Sequence, residues 1–143
     1  MPVEYRIDPA RKLVVATPRG TLTAPDLFGY QKEVWTRPEL QTYSELVDMR
    51  DVGKILYESP ERVREVAAYS ATMDPPQGGT KLAIVAAGDE TFGLARMYQS
   101  YREANPRSSR RVRAFRTMPE ALAWLFPEGE SSKGGVSPGR PSA

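Results

Sequence analysis

Val3, Tyr5 and Ile7 alternate with polar neighbours, and a second β-prone run covers Leu13 to Ala16. The turn residues Asp8, Pro9, Ala10 and Arg11 lie between them, so the opening segment predicts a hairpin. Beyond Gly20 the period changes. Thr23 followed by Asp26 has the form of a capping box with a shortened acid, and Pro25 falls in the first turn, where a missing N–H costs nothing. Leu27, Phe28, Gln31, Val34 and Trp35 then recur at helical spacing, predicting one buried stripe that stops before Pro38.

Ser44 to Met49 predicts a short buried strand with Leu46 and Val47 at its centre, closed by the charged turn Asp48 to Asp51. Ser59-Pro60-Glu61 opens a second helix that buries Val63, Val66, Ala67 and Ser70, and Pro75-Pro76 with Gly78-Gly79 ends the segment. Lys81 to Ala87 is the most hydrophobic run. Its lack of alternation predicts a central strand covered on both faces. Asp89 is the expected N-cap of a third helix carrying Leu94, Met97, Tyr98 and Tyr101 on one face and closed by Asn105-Pro106. Arg111 to Phe115 predicts a last strand, and Thr117-Met118-Pro119-Glu120 a capping box leading into a final helix. The predicted order is ββαβαβαβα. Strands separated by helices require right-handed crossovers, hence an α/β fold with a five-stranded mixed sheet whose antiparallel strand sits at or near an edge.

Composition sets the bounds. A chain of 143 residues with 40% hydrophobic and 27% charged residues is an ordinary single globular domain. The expected domain covers residues 1–126, and the Gly-, Ser- and Pro-rich segment 127–143 is expected to be a disordered tail. The chain contains neither cysteine nor histidine, which removes thiolate and imidazole ligands, disulfides and every Ser-His or Cys-His relay. No tight acidic cluster replaces them, so neither a metal nor another cofactor is expected and the chain reads as non-catalytic. The N-terminal segment lacks the pattern of a secretory signal, and no apolar run is long enough to span a membrane, so a cytoplasmic location is expected.

Leu46-Val47-Asp48 at the end of the third strand, Lys81-Leu82-Ala83-Ile84-Val85, Phe92-Gly93-Leu94-Ala95-Arg96-Met97-Tyr98 and Ala121-Leu122-Ala123-Trp124-Leu125 resemble the SpoIIAA-like family of small bacterial proteins. The resemblance covers residues 3 to 126. It implies the fold of the STAS domains of anti-sigma-factor antagonists and sulfate transporters, and more distantly that of CRAL-TRIO lipid-binding domains. Most members of the group have no assigned activity. The antagonists are phosphorylated on a serine at the start of the second helix, within Asp-Ser-Ser-Gly. The matching Glu58-Ser59-Pro60-Glu61 keeps one serine and lacks the neighbouring serine and the glycine.

Ser59 is therefore a candidate phosphorylation site, set against its plainer role as an N-cap. Asp48, Arg50 and Asp51 follow the C-terminal end of a strand, where two carboxylates could meet a hard cation; a turn with a solvated ion pair is the favoured reading. Gly78-Gly79-Thr80-Lys81 is no phosphate loop, because a strand and not a helix follows it. Asp89, Thr91, Gly93 and Arg96 surround the start of the third helix and form the preferred ligand site, with Gly93 admitting a close backbone or ligand and Arg96 clamping an anion. The plainer alternative is a packing glycine and an arginine paired to Asp89 or Glu90.

Arg102, Arg107, Arg110, Arg111, Arg113 and Arg116 cluster near the last strand. Alternation of Arg111 and Arg113 with Val112 and Ala114 favours outward charge protecting a sheet edge over nucleic-acid binding. Met97, Tyr98, Tyr101 and Trp124 are either core or an aromatic patch for a partner. The function expected is that of a STAS-like regulatory or protein-interaction domain, with a protein partner or self-association as a homodimer. The alternative is a small-molecule or lipid carrier with an apolar pocket under the second and third helices, taking a small apolar or anionic ligand.

Overall fold

The computed structural model describes residues 3–127, so the expected tail from residue 128 onward lies outside the described residues. The first strand β1 (Val3–Asp8) pairs antiparallel with β2 (Leu13–Pro18), Tyr5 facing Ala16 and Ile7 facing Val14. Helix α1 (Ala24–Trp35) precedes β4 (Ser44–Asp48), and α2 (Pro60–Ala71) precedes β6 (Lys81–Val85). Helix α3 (Asp89–Ala104) leads to β7 (Arg111–Phe115), and α4 (Met118–Leu125) closes the domain. The five-stranded sheet runs in the order β1-β2-β4-β6-β7, with β1 the one antiparallel strand and an edge, as the hairpin predicted.

The periodicity does not reveal a second, two-stranded parallel sheet made by β3 (Gly20–Leu22) and β5 (Val52–Ile55). These strands are too short for an alternating pattern, and Gly20 takes a positive φ of 67°. Their pairing extends into Leu56 N donating to Leu22 O at 2.9 Å.

Strand alternation divides the interior. Val14, Ala16, Leu82, Ile84, Val112 and Ala114 face a large core that also holds Tyr30 and Val34 of α1, Val63 and Val66 of α2 and Ala95 of α3. Leu13, Leu46, Ala83 and Val85 face the other way, against Ala121 and Leu125 of α4. Three helices thus cover one face and a single helix the other. β6 is buried from Leu82 to Val85, which explains its unbroken apolar run. The helix starts follow local chemistry. Thr23 and Asp26 form a reciprocal capping box, Ser59 accepts from Arg62 N at 3.2 Å, and Thr117 accepts from Glu120 N. Asp89 is not the N-cap of α3: Gly88 holds that position and Asp89 is the first helical residue.

The arginine cluster is also not one surface. Arg102 and Arg110 are buried and converge on Asp74, itself buried in the segment after α2. The Asp74 carboxylate accepts from Arg102 Nη2 at 2.6 Å, Ser109 N at 2.9 Å, Arg110 N at 3.1 Å and Ser108 Oγ at 3.2 Å. Burial works against the charge on Arg102, but neighbouring Tyr98 and Asp74 outweigh it and raise the guanidinium pKa; burial lowers that of Arg110. Arg111 and Arg113 are exposed on β7, which is the second sheet edge, as their alternation predicted.

Asp74→Ala leaves two guanidiniums buried without their carboxylate, and urea unfolding is expected to report a loss of about 3–5 kcal/mol. Ser59→Ala removes only a cap and is expected to cost about 1 kcal/mol in the same assay.

Candidate functional site

Between the three-helix layer and the sheet lies a mainly apolar chamber of about 60 Å³. Its floor is Glu45 and Val47 of β4 with Leu82 and Ile84 of β6. Leu27 and Gln31 of α1 and Val63 of α2 form one side; Thr91, Leu94, Ala95 and Tyr98 of α3 form another. Leu22, Met49, Ile55 and Tyr57 close it from the β3/β5 sheet and its flanking turns. Ile55, Thr91 and Leu94 also line an outer, polar depression of about 340 Å³ that carries Lys54, Glu58 and Glu90. They are therefore the partition between chamber and vestibule. The vestibule lies beside the start of α3, past the C-terminal end of β6, the side on which parallel sheets place ligands.

Polar groups inside this apolar space decide its chemistry. Glu45 is 6% exposed, and its Oε2 accepts from Tyr30 Oη at 2.6 Å. Trp35 Nε1 donates to the same tyrosine oxygen at 3.2 Å, and the Arg110 guanidinium stacks 4.1 Å from the Trp35 ring centre. A buried polar chain thus links the chamber floor to Asp74. Burial, with Glu45 beside it, holds the Tyr30 phenol well above its ordinary pKa, and burial does the same for Tyr57. Gln31 Nε2 donates to Ser70 Oγ at 2.7 Å, while Gln31 Oε1 is buried with no hydrogen-bond partner. A buried acceptor left unpaired costs about 1–3 kcal/mol.

The four residues Asp89, Thr91, Gly93 and Arg96 are not gathered around one space. Thr91 lines both chamber and vestibule. Asp89 is 94% exposed and takes Arg116 Nη1 at 2.6 Å, so Arg116, and neither of the expected pairings of Arg96, supplies the local ion pair. Gly93 is exposed with open space where a Cβ would stand, which overturns the close approach expected of it. Arg96 is exposed too, its guanidinium 6.0 Å from the Phe92 ring centre. Helical geometry explains the division: residues 91, 94, 95 and 98 share the inward face, whereas 89, 93 and 96 lie off it.

Glu45, Gln31 and Tyr57 escape a motif search, although two carry a signal. Glu45 is an acid beside the apolar pair Leu46-Val47 of a short strand, and Gln31 is the polar member of an apolar stripe. Met97, Tyr98 and Tyr101 pack against the three-helix core and Trp124 against the α4 core, so they make no single patch. Ser59 is exposed at the start of α2.

Asp48 and Arg50 form a doubly hydrogen-bonded pair at 2.9 Å, and Asp51 takes Arg19 at 2.8 Å, so both carboxylates of that turn face cations. The hydrogen bonds from Arg50 lower the Asp48 pKa, against an opposing effect of burial. A depressed acid stabilises the fold above its unfolded pKa and loses that contribution as pH falls through the folded value. Thermal melts of the protein should therefore drop as pH falls below about 4, and Asp48→Asn should flatten that part of the profile.

No helix among the described residues is long and apolar enough to cross a membrane. No family model matches the sequence, and no curated protein matches it. Among solved structures, the chain is similar to an uncharacterized protein of the DUF3478 family with a SpoIIAA-like fold from Shewanella loihica PV-4. The two share 13% identity over 86% of this chain and 93% of the other, with a TM-score of 0.55. At that identity the likeness speaks to architecture alone, and with the strand order and helix layers described above it establishes that this chain has a SpoIIAA-like fold.

Proposed function

We propose that this chain is a non-catalytic binding domain whose chamber captures a small, largely apolar molecule bearing a hydrogen-bond donor. The observation that carries this reading is Gln31 Oε1, a buried acceptor without a partner on the wall of an apolar cavity. A ligand N–H or O–H placed there recovers an interaction that the protein alone leaves unmade. Glu45 adds a second acceptor. Its Oε2 accepts from Tyr30 while its Oε1 lies outside that bond, and an acidic side chain on the floor is a poor neighbour for an anion. The anionic ligand considered from the sequence is thus disfavoured here, and an amine, alcohol or amide with a short aliphatic body is favoured.

Size narrows the choice. Drug-sized ligands occupy about 300–1,000 Å³, and benzene fits an engineered apolar cavity of about 150 Å³. A chamber of about 60 Å³ takes a few heavy atoms and leaves no room for a lipid chain. Two features support binding over catalysis: Glu45 is held by Tyr30, and burial keeps the Tyr30 and Tyr57 phenols protonated.

The regulatory or protein-interaction role expected from the SpoIIAA-like resemblance has one supporting observation of its own. The Ser59 hydroxyl is exposed at the N-terminus of α2, where a phosphate would meet the positive end of the helix. Ser59 and the chamber wall residue Tyr57 are two positions apart, so the two readings meet at one corner of the domain.

Calorimetric titration with isobutylamine, isobutanol and isobutyrate tests the binding reading. The amine and the alcohol are expected to bind and the carboxylate is not. Gln31→Leu should weaken the amine about tenfold, the worth of one hydrogen bond near 1.4 kcal/mol. Leu94→Trp should fill the chamber and abolish binding while circular dichroism stays unchanged. Equal binding of all three probes, or an unaltered affinity in Gln31→Leu, would overturn the proposal.

A further inference from the structure

β7 ends the sheet, and its backbone shows which groups are left open. Arg111 N donates to Thr80 O at 3.0 Å, and Phe115 O accepts from Ala86 N at 2.9 Å, so the main chain at Arg111 and Phe115 faces β6. In a parallel ladder alternate residues bond to the same neighbour. Val112 and Ala114 therefore present their N–H and C=O groups to the outer side. The Ala114 N–H verifies this, because it donates to Gln99 Oε1 of α3 at 3.0 Å. One outward donor is thus satisfied by a side chain, and the other residue whose main chain faces outward, Val112, is 4% exposed and lines the groove between α3 and β7.

This edge lies in a polar groove of about 550 Å³ between α3 and β7. Arg96 flanks it from α3. Arg111 and Arg113 flank it from the opposite face of the sheet, because Val112 and Ala114 take the inward positions. None of these three arginines forms a salt bridge with a described residue. Aromatic rings hold their guanidiniums along the rim: Arg111 lies 5.6 Å from the Trp124 ring centre and Arg113 5.8 Å from that of Phe115. Among the described residues the acid on the wall is Glu103, which accepts from Gln99 Nε2 at 3.2 Å.

From this arrangement we infer that β7 accepts an extended acidic peptide as a sixth strand. The peptide backbone bonds Val112, and carboxylates at every second position meet Arg111 and Arg113. Charge also selects the occupant. A second copy paired through the same edge would set Arg111 and Arg113 against their own equivalents, and like charges across a strand pair are destabilising. The edge is therefore built against self-pairing and for an oppositely charged strand.

The test is fluorescence anisotropy with a labelled octapeptide of alternating glutamate and valine, beside its lysine–valine counterpart and a glutamate–valine peptide N-methylated at alternate residues. The acidic peptide is expected to bind, to weaken with added salt, and to lose about tenfold or more in Arg111→Glu/Arg113→Glu. The lysine peptide should not bind. Hydrogen exchange on the unaltered protein should show new protection of the Val112 amide when the acidic peptide is added, which keeps the test independent of whether the double variant folds. Equal affinity for the N-methylated peptide, unchanged exchange at Val112, or displacement by an equimolar single-stranded oligonucleotide would overturn the inference in favour of a plain polyanion surface.

Discussion

Asp74 is the point on which the packing of the helices turns. It sits between the end of α2 and the loop before β7, and through Arg102 it takes hold of α3. Two buried guanidiniums around one carboxylate would leave a net positive charge in the interior. The balance is restored at the far end of the same network, where Arg110 stacks on Trp35, Trp35 donates to Tyr30 and Tyr30 donates to Glu45. Two acids and two arginines thus share one continuous buried system. Such systems cost much of their Coulombic gain in desolvation, so their worth is better sought in the arrangement they impose than in stability alone.

That arrangement reaches the chamber from both ends. Arg102 Nη1 donates to Tyr98 Oη at 2.7 Å, and Tyr98 is on the chamber wall with Thr91, Leu94 and Ala95 of the same helix. Glu45, at the other end, is the chamber floor. The cavity lies between the three-helix layer and the sheet, with Tyr98 and Glu45 of this polar network among its lining residues. The gap is lined mainly by apolar groups, and one of its lining residues, Gln31, carries a buried acceptor without a partner.

The two edges of the sheet are handled differently. At β1 the strand is the outer arm of a hairpin, tied to α1 by Tyr5 donating to Glu33 at 2.6 Å and to Arg37 by that guanidinium donating back. At β7 a single glutamine covers one backbone group and arginines stand to either side.

Much of this was legible in the residues. The hairpin, the fully buried β6, the capped starts of α1, α2 and α4, the inward stripe of Val63, Val66, Ala67 and Ser70 and the exposed Arg111 and Arg113 all follow from local period and capping chemistry. Those signals act over a few residues and need no knowledge of what lies opposite. Tertiary structure alone decided the rest. It paired Gly20–Leu22 with Val52–Ile55, turned Arg102 and Arg110 inward to a carboxylate far along the chain, left Gly93 facing open space, and brought Gln31 and Glu45 to one cavity. Each of these outcomes depends on a partner supplied by a distant segment. A charged or polar side chain carries no mark of whether that partner will be water or another residue, and only the assembled layers determine which.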